Sequence, residues 1–217
     1  MKSFCIIGLG KFGTSLAENL ARCGKQVLVI DRDADKVNSI SDTVTHAIIG
    51  DPTNEAVFRA AGVSDYECAI VCMTGNINDN VLLTMMLKEI GVSKVVSRAI
   101  NEGHKRVLEK IGADMIVFPE EDMGEKISRL LANDNVTDFI EFNGYCIAEI
   151  NIPAKWIGKN LIELELRKKY GVNVLAVRDT AGKVSVSPSP TKAFDEGEMI
   201  SVIGTDKDIE KLTRQLG

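Results

Sequence analysis

Residues 5–16 read CIIGLGKFGTSL, three glycines spaced G-x-G-x-x-G between an apolar run and a stretch of helical periodicity. This pattern asks for a strand, a tight turn and a helix in immediate succession. Gly8 permits the turn, Gly10 lets a pyrophosphate approach the backbone, and Gly13 lets the helix pack against the strand. A helix opening at Lys11 then offers free N–H groups and a positive dipole end to phosphates. Asp31 closes the next apolar run, QVLVID, about twenty residues beyond the second glycine, where a carboxylate accepts hydrogen bonds from an adenosine ribose. An acid there disfavours a 2′-phosphate, so NADP is not expected despite the neighbouring Arg32.

The alternation continues. SFCIIG, QVLVID, HAIIGD, CAIVCM, KVVSRAI and DMIVF are separated by helical patterns, at residues 33–40 and 54–61, in NDNVLLTMMLKEIG and in HKRVLEKIG. Several of these runs are apolar throughout, as burial on both faces of a parallel sheet requires. The expectation is an α/β fold, a doubly wound parallel sheet over residues 1–118. PEEDMGEKISRLLANDN then reads as one helix and joint, 119–135, with Pro119 in its first turn and acids at its positive end. Residues 136–217 hold CIAEINIP, VNVLAVRD, KVSVSPSP and EMISVIG as strands, and NLIELELRKKYG and DKDIEKLTRQLG as helices. That is a small α+β lobe.

Composition bounds the function. A net charge of −5 and a pI near 5.2 argue against a nucleic-acid partner, which would call for a basic face. No apolar run reaches the length of a membrane span, and Met1-Lys2 lead into a strand without a leader-peptide pattern. Five cysteines, with Cys68 and Cys72 sharing a strand face and no further ligand at metal-binding spacing, read as reduced thiols of a cytoplasmic protein.

Further polar residues stand at the carboxyl ends of the later strands, the edge where open α/β sheets take ligands. These are Asp51 and Thr53, Met73 to Asn76 with Thr74 and Gly75 between, Arg98, and Glu120. Each has a local account as well: Asp51 starts a turn, Thr74 to Asn76 cap a helix, and Glu120 suits a helix dipole. Arg98 is harder to explain locally, because a cation within a strand needs an anion, and a phosphate suits it. His104 either faces a phosphate or serves as a surface or capping group.

IIGLGKFG, VLVIDRD, HAIIGDPTNEAVFRAAGV, VLEKIGAD and PEEDMGEKI, followed by LRKKYGVNVLAV and SPSP, resemble the RCK (regulator of K⁺ conductance) domains of bacterial potassium-uptake proteins of the TrkA/KtrA type. The resemblance spans the chain. It implies a Rossmann-like RCK N-terminal domain with a C-terminal RCK lobe, in a gating subunit that binds ATP or ADP, or alternatively NAD or NADH. It also implies a cytoplasmic homodimer assembling to an octameric ring on the inner face of the membrane, beneath a K⁺ channel or transporter subunit of the TrkH/KtrB type.

By motif match, Gly8, Gly10, Lys11, Phe12 and Gly13 would line the phosphates and Asp31 the ribose, with Arg32 beside it. Asp51 and Thr53 would lie near adenine, Met73, Thr74, Gly75 and Asn76 would close the site, and Arg98 and His104 would face phosphate. Glu120 would hold a divalent cation, Mg²⁺ or Ca²⁺. Arg167, Asn173, Val174 and Pro188 match positions that contact cyclic di-AMP in KtrA-like relatives. Lys11 stands where the family commonly has Arg, and GDPT replaces the usual GDAT, which puts Pro52 without an N–H in that loop.

Two other classes fit the first glycine motif. A small NAD-dependent oxidoreductase would need an acid/base group beside the nicotinamide, and the two histidines, His46 and His104, offer no catalytic arrangement. A DNA-binding sensor of NAD(H) would need a helix-turn-helix or a basic surface. No such pattern occurs, so a non-enzymatic regulator is expected.

Overall fold

The structure, a computed structural model, describes residues 2–133 and 135–216. The chain divides into two units, Met1–Glu121 and Asp122–Gly217. In the first, strands β1 (Ser3–Ile7), β2 (Gln26–Asp31), β3 (His46–Ile49), β4 (Cys68–Val71), β5 (Lys94–Arg98) and β6 (Met115–Val117) alternate with helices α1 (Lys11–Arg22), α2 (Ala34–Ile40), α3 (Glu55–Ala60), α4 (Ile77–Glu89) and α5 (Glu102–Lys110). The six strands are parallel in the order β3-β2-β1-β4-β5-β6. This is the doubly wound arrangement expected of the alternation, and β1 and β4 flank the point where the winding reverses.

The pleat explains the apolar runs. Cys5 and Ile7 of β1 join Leu28, Ile30, Ala69, Val71 and Val95 in one core with Phe58 of α3 and Leu83 and Leu87 of α4. Ile6 joins Val27, Val29, Cys68, Ile70 and Val96 on the other face, with Ala17 of α1 and Val37 and Ile40 of α2. Adjacent strand residues point to opposite faces, and helices cover both, so the strands have no polar side.

Helix α6 (Pro119–Leu131) runs across the division between the units, within the segment 119–135 expected to join them. The second unit contains β7 (Val136–Phe142), β8 (Tyr145–Asn151), α7 (Leu161–Leu164), α8 (Leu166–Tyr170), β9 (Asn173–Arg178), β10 (Val184–Val186), β11 (Met199–Thr205) and α9 (Asp206–Arg214). Its sheet is antiparallel, ordered β10-β9-β11-β8-β7. One face is the core: Cys146, Ala148, Ile150, Ile200 and Val202 pack with Ile209 and Leu212 of α9 and with Trp156, Leu164 and Leu166.

Two local readings change here. NLIELELRKKYG, expected as one helix, is α7 and α8 broken at Glu165, which takes a left-handed φ of 48°. Leu164 and Leu166 are both buried. Two residues apart on one helix they would diverge by about 200°, and the left-handed residue between them turns both into the core. Residues 136–144 received no element from the sequence; they are β7 and a hairpin turn at Asn143-Gly144, both with positive φ. Asn-Gly between apolar stretches is the signal that could have found it.

Candidate functional site

The glycine loop sits where the pattern requires. Gly8, at φ 98°, donates its N–H to the Ile30 carbonyl (2.9 Å), and a Cβ there would fall 2.8 Å from Met73 Cγ. A Cβ on Gly13 would collide with the Gly8 carbonyl oxygen, so helix and loop touch backbone to backbone. Gly10 is different. Its φ of −74° suits any residue, and a Cβ there would meet nothing within 4 Å. Neither a positive φ nor a packing contact asks for glycine at position 10, which leaves its place as the α1 N-cap and the room it gives a group outside the chain.

Helices α2, α3, α4 and α5 begin under the side chains of Asp33, Asn54, Asn76 and Asn101. Helix α1 begins at Gly10 with no side-chain cap and no acid in its first turn. Its first helical bond runs from the Thr14 N–H to the Gly10 carbonyl (2.9 Å), which leaves the N–H groups of Lys11, Phe12 and Gly13 without intrahelical acceptors. An anion supplies what they lack. At the loop before them lies a cavity of about 330 Å³, lined among others by Gly8, Gly10, Asp31, Arg32, Met73, Thr74 and Gly75. Asp31 accepts from the Leu9 N–H through Oδ2 (2.5 Å) and from the Asp33 N–H through Oδ1 (2.9 Å). Each carboxylate oxygen keeps a further acceptor site for a hydroxyl pair such as a ribose.

The cavity also takes in Pro52, in the loop flagged for lacking an N–H, and Asp33, Lys36 and Cys72, which the sequence did not place in the site. Lys36 lies one turn after the Asp33 cap and pairs with it at 3.1 Å; a cation three residues past an Asx cap near the end of β2 was the available signal. Cys72 is buried, and its thiol is pushed up to about 12 by desolvation, against the pull of Arg98. It stays a neutral thiol.

Other expected site residues stand elsewhere. Asp51 Oδ1 accepts from the Thr53 N–H (2.9 Å) and hydroxyl (2.8 Å), and these bonds, with Arg32, hold its carboxyl below the usual range. The pair forms a turn, and Pro52 between them lines the cavity. Asn76 caps α4 by accepting from the Asn78 N–H (3.0 Å). Arg98, expected to answer a phosphate, is paired with Glu120 and lies over the Phe12 ring, 5.5 Å from its centre. Within the chain, the carboxylate that meets this strand cation is Glu120. Glu120, expected to hold a divalent cation, meets that guanidinium, and no cluster of three metal-ligating side chains occurs among the described residues.

His104 is neither a surface group nor a cap: it is 3% exposed, and neither ring nitrogen has a partner among the described residues. Asn101 provides the cap. Burial lowers the His104 pKa, so the ring is neutral at pH 7.

In the second unit, Arg167 and Asn173 are exposed at the end of α8 and the start of β9, with Val174 half-buried beside Asn173. Pro188 instead lines a separate cavity of about 280 Å³ with Lys192 and the buried Glu198. The four residues do not share one cavity. A larger one, about 550 Å³, lies between α6, the β7–β8 hairpin and α9, lined by residues that include Arg129, Phe139 and Cys146. No motif pointed to it, since its walls come from four separate elements.

Comparison with known proteins follows the same two-part division. The family model of the TrkA-N domain matches residues 4–119 and that of the TrkA-C domain residues 147–217. The chain is 37% identical over 216 residues to Ktr system potassium uptake protein C of Bacillus subtilis (strain 168), covering 99% of this chain and 97% of that one. Among solved structures, the GsuK channel bound to NAD is similar over 100% of this chain and 38% of its own, at 25% identity and a TM-score of 0.54. GsuK bound to ADP is similar over 60% of this chain and 34% of its own, at 28% identity and a TM-score of 0.53.

Proposed function

We propose that this chain, which belongs to the TrkA family of potassium-uptake proteins as the TrkA-N and TrkA-C matches establish, is a nucleotide-sensing regulatory subunit of a potassium-uptake system. The observation that carries the reading is Gly10: a glycine that no positive φ or packing contact requires, at a helix terminus without a side-chain cap, lining a cavity together with Asp31. Those features fit an adenine nucleotide. The free N–H groups of Lys11, Phe12 and Gly13 would hold its phosphates, Asp31 its ribose, and Met73 to Gly75 would close over it. The similar GsuK structures, one bound to NAD and one bound to ADP, support a nucleotide of this class.

A regulator rather than an oxidoreductase is favoured by the cavity's chemistry. Its titratable lining groups are Asp31, Arg32, Asp33, Lys36 and a thiol pushed up to about 12, and no histidine is among them. Regulation needs a ligand that binds two conformations unequally. ATP, ADP and NAD(H) differ in phosphate charge, and the Arg98–Glu120 pair near α1 is the charged element that such a difference would bias, with Mg²⁺ or Ca²⁺ at Glu120 when a triphosphate is present.

We further propose a cytoplasmic homodimer, assembled as an octameric ring on a TrkH/KtrB-type membrane partner, and a cyclic di-AMP site that uses Arg167, Asn173, Val174 and Pro188. No helix of the described residues is long and apolar enough to cross a membrane, so a separate membrane subunit carries the ion in this reading.

A thermal-shift panel of ATP, ADP, NAD, NADH and cyclic di-AMP, with and without Mg²⁺, tests it on wild type and Gly10→Ala. Wild type is expected to rise by several degrees with at least one adenine nucleotide and to turn none over. Gly10→Ala is expected to fold normally and to bind about tenfold more weakly. A full ligand shift in Gly10→Ala would remove the phosphate cradle from the proposal.

A further inference from the structure

Asn80 is fully buried in α4 and has no part in the site as described above. Its Nδ2 donates to the Met73 carbonyl (2.9 Å) and to the Arg98 carbonyl (3.2 Å). The amide orientation follows from chemistry, because only an NH₂ group can face two carbonyl oxygens.

Those carbonyls belong to the ends of two neighbouring strands. Ladder pairing of β4 with β5 ends at Val71–Ser97, and beyond it the two chains go to different tasks. Met73 begins the loop that lines the cavity, while Arg98 carries the guanidinium held between Phe12 and Glu120. Asn80 bridges the strands where the ladder stops. One turn further along, the Thr84 hydroxyl bonds to the Asn80 carbonyl (2.8 Å) and to the Ser97 hydroxyl (2.7 Å), which fixes this helix face against β5.

Asn80 Oδ1 has no partner among the described residues. A desolvated acceptor without a donor is costly, and an apolar residue would fill a core position at less cost. Stability alone is a poor account of an amide here.

We propose that Asn80 is a positioning residue of the nucleotide site, a strap that sets the spacing between the Met73–Asn76 loop and Arg98 and so couples the filling of the cavity to the Arg98–Glu120 pair. The proposal rests on the nucleotide reading above.

Asn80→Asp keeps the shape and loses both N–H donors. Burial favours the protonated form of the new carboxyl, which restores one donor as pH falls. Titratable groups near this end of the elements packed on α4 are Cys72 after β4, Arg98 on β5 and His104 on α5. Wild type and Asn80→Ala retain all of them and serve as backgrounds.

ADP affinity is measured calorimetrically on the full chain at about pH 8.5 and about pH 6, with Tm alongside. Both variants are expected to bind ADP roughly tenfold more weakly at the higher pH, and only Asn80→Asp to recover most of that loss at the lower. Unchanged affinity in both variants overturns the proposal. So does a loss in Asn80→Asp that is the same at both pH values, since a packing defect does not titrate. Should Asn80→Ala fail to fold, Asn80→Asp against wild type reports both results. A wild type that gives no heat with ADP or NAD overturns the nucleotide reading and this proposal together, an outcome distinct from variants that bind as well as wild type.

Discussion

The two sheets solve the same burial problem in opposite ways. In the first unit β1 and β4 are apolar at nearly every position because helices cover both faces. In the second unit β8 and β11 alternate, with Cys146, Ala148, Ile150, Ile200 and Val202 on the core side and Glu149 and Ser201 on the other. A parallel sheet must be sandwiched because its crossovers are helices, whereas hairpins leave an antiparallel sheet free to be covered on one side. Cutting chain connectivity cheaply through hairpins thus leaves a lobe whose face is set by period-two alternation, and the crossovers leave one whose strand edge collects loops. The two units consequently hold their cavities differently. The glycine-loop cavity is built around strand ends in one topological crevice, and the large cavity of the second unit between the consecutive α6, β7 and β8 and the distant α9.

Substitutions can break or sharpen that contrast. The largest effect is expected of Gly13→Val, because the new Cβ meets the Gly8 carbonyl and backbone cannot yield. A loss on the order of 4 kcal/mol or more should lower the melting transition of the first unit and abolish nucleotide binding. If the two units melt independently, calorimetry should show the second transition unmoved.

Ile150→Ala is the mirror experiment. The side chain is fully buried, and its truncation should cost roughly 2–5 kcal/mol while ADP affinity at temperatures below the transition stays as in wild type. A joint fall in affinity would mean that the units share stability more than their separate cores suggest.

His104 probes the helix-covered side. Its pKa is lowered by burial, so the unfolded chain binds the proton more readily and stability declines as pH drops below about 6.5. His104→Leu removes a ring whose nitrogens have no partner among the described residues. It should leave Tm at pH 7.5 equal or slightly higher and flatten the acid limb between about pH 6.5 and 5. A limb as steep as in wild type would assign the acid sensitivity elsewhere.

The smallest effect belongs to Glu165→Gly. Relief of the left-handed φ is worth roughly 1 kcal/mol, offset in part by loss of exposed pairs with Lys168 and Lys169. A net gain of about 0.5 kcal/mol is expected in chemical denaturation. A loss would mean that the two ion pairs outweigh the strain at the α7–α8 break.

The cradle was legible because each part has a local reason. Gly8, Gly13 and Asp31 answer constraints within one strand-turn-helix unit and the strand beside it, and their spacing alone announces them. Cys72 and Lys36 were not legible as lining residues, since they reach the same cavity from the chain after β4 and from α2, and only the spacing of Lys36 from the Asp33 cap hints at it. The pairing of Arg98 with Glu120 was not legible, because Glu120 lies beyond an intervening helix and strand.

The residue pattern by itself determined the strand and helix order of the first unit, its parallel sheet, the glycine turn and the carboxylate at the end of β2. These follow from hydrophobic period and glycine stereochemistry, which act over a few residues. Tertiary structure alone decided that Arg98 faces Glu120 and Phe12, that His104 is buried without partners, that Asn80 bridges two strand ends, and that the helix expected at 160–171 breaks at Glu165. Each of these depends on which side chains long-range packing brings within about 3 Å of one another, and that distance is not written in any single stretch of the chain.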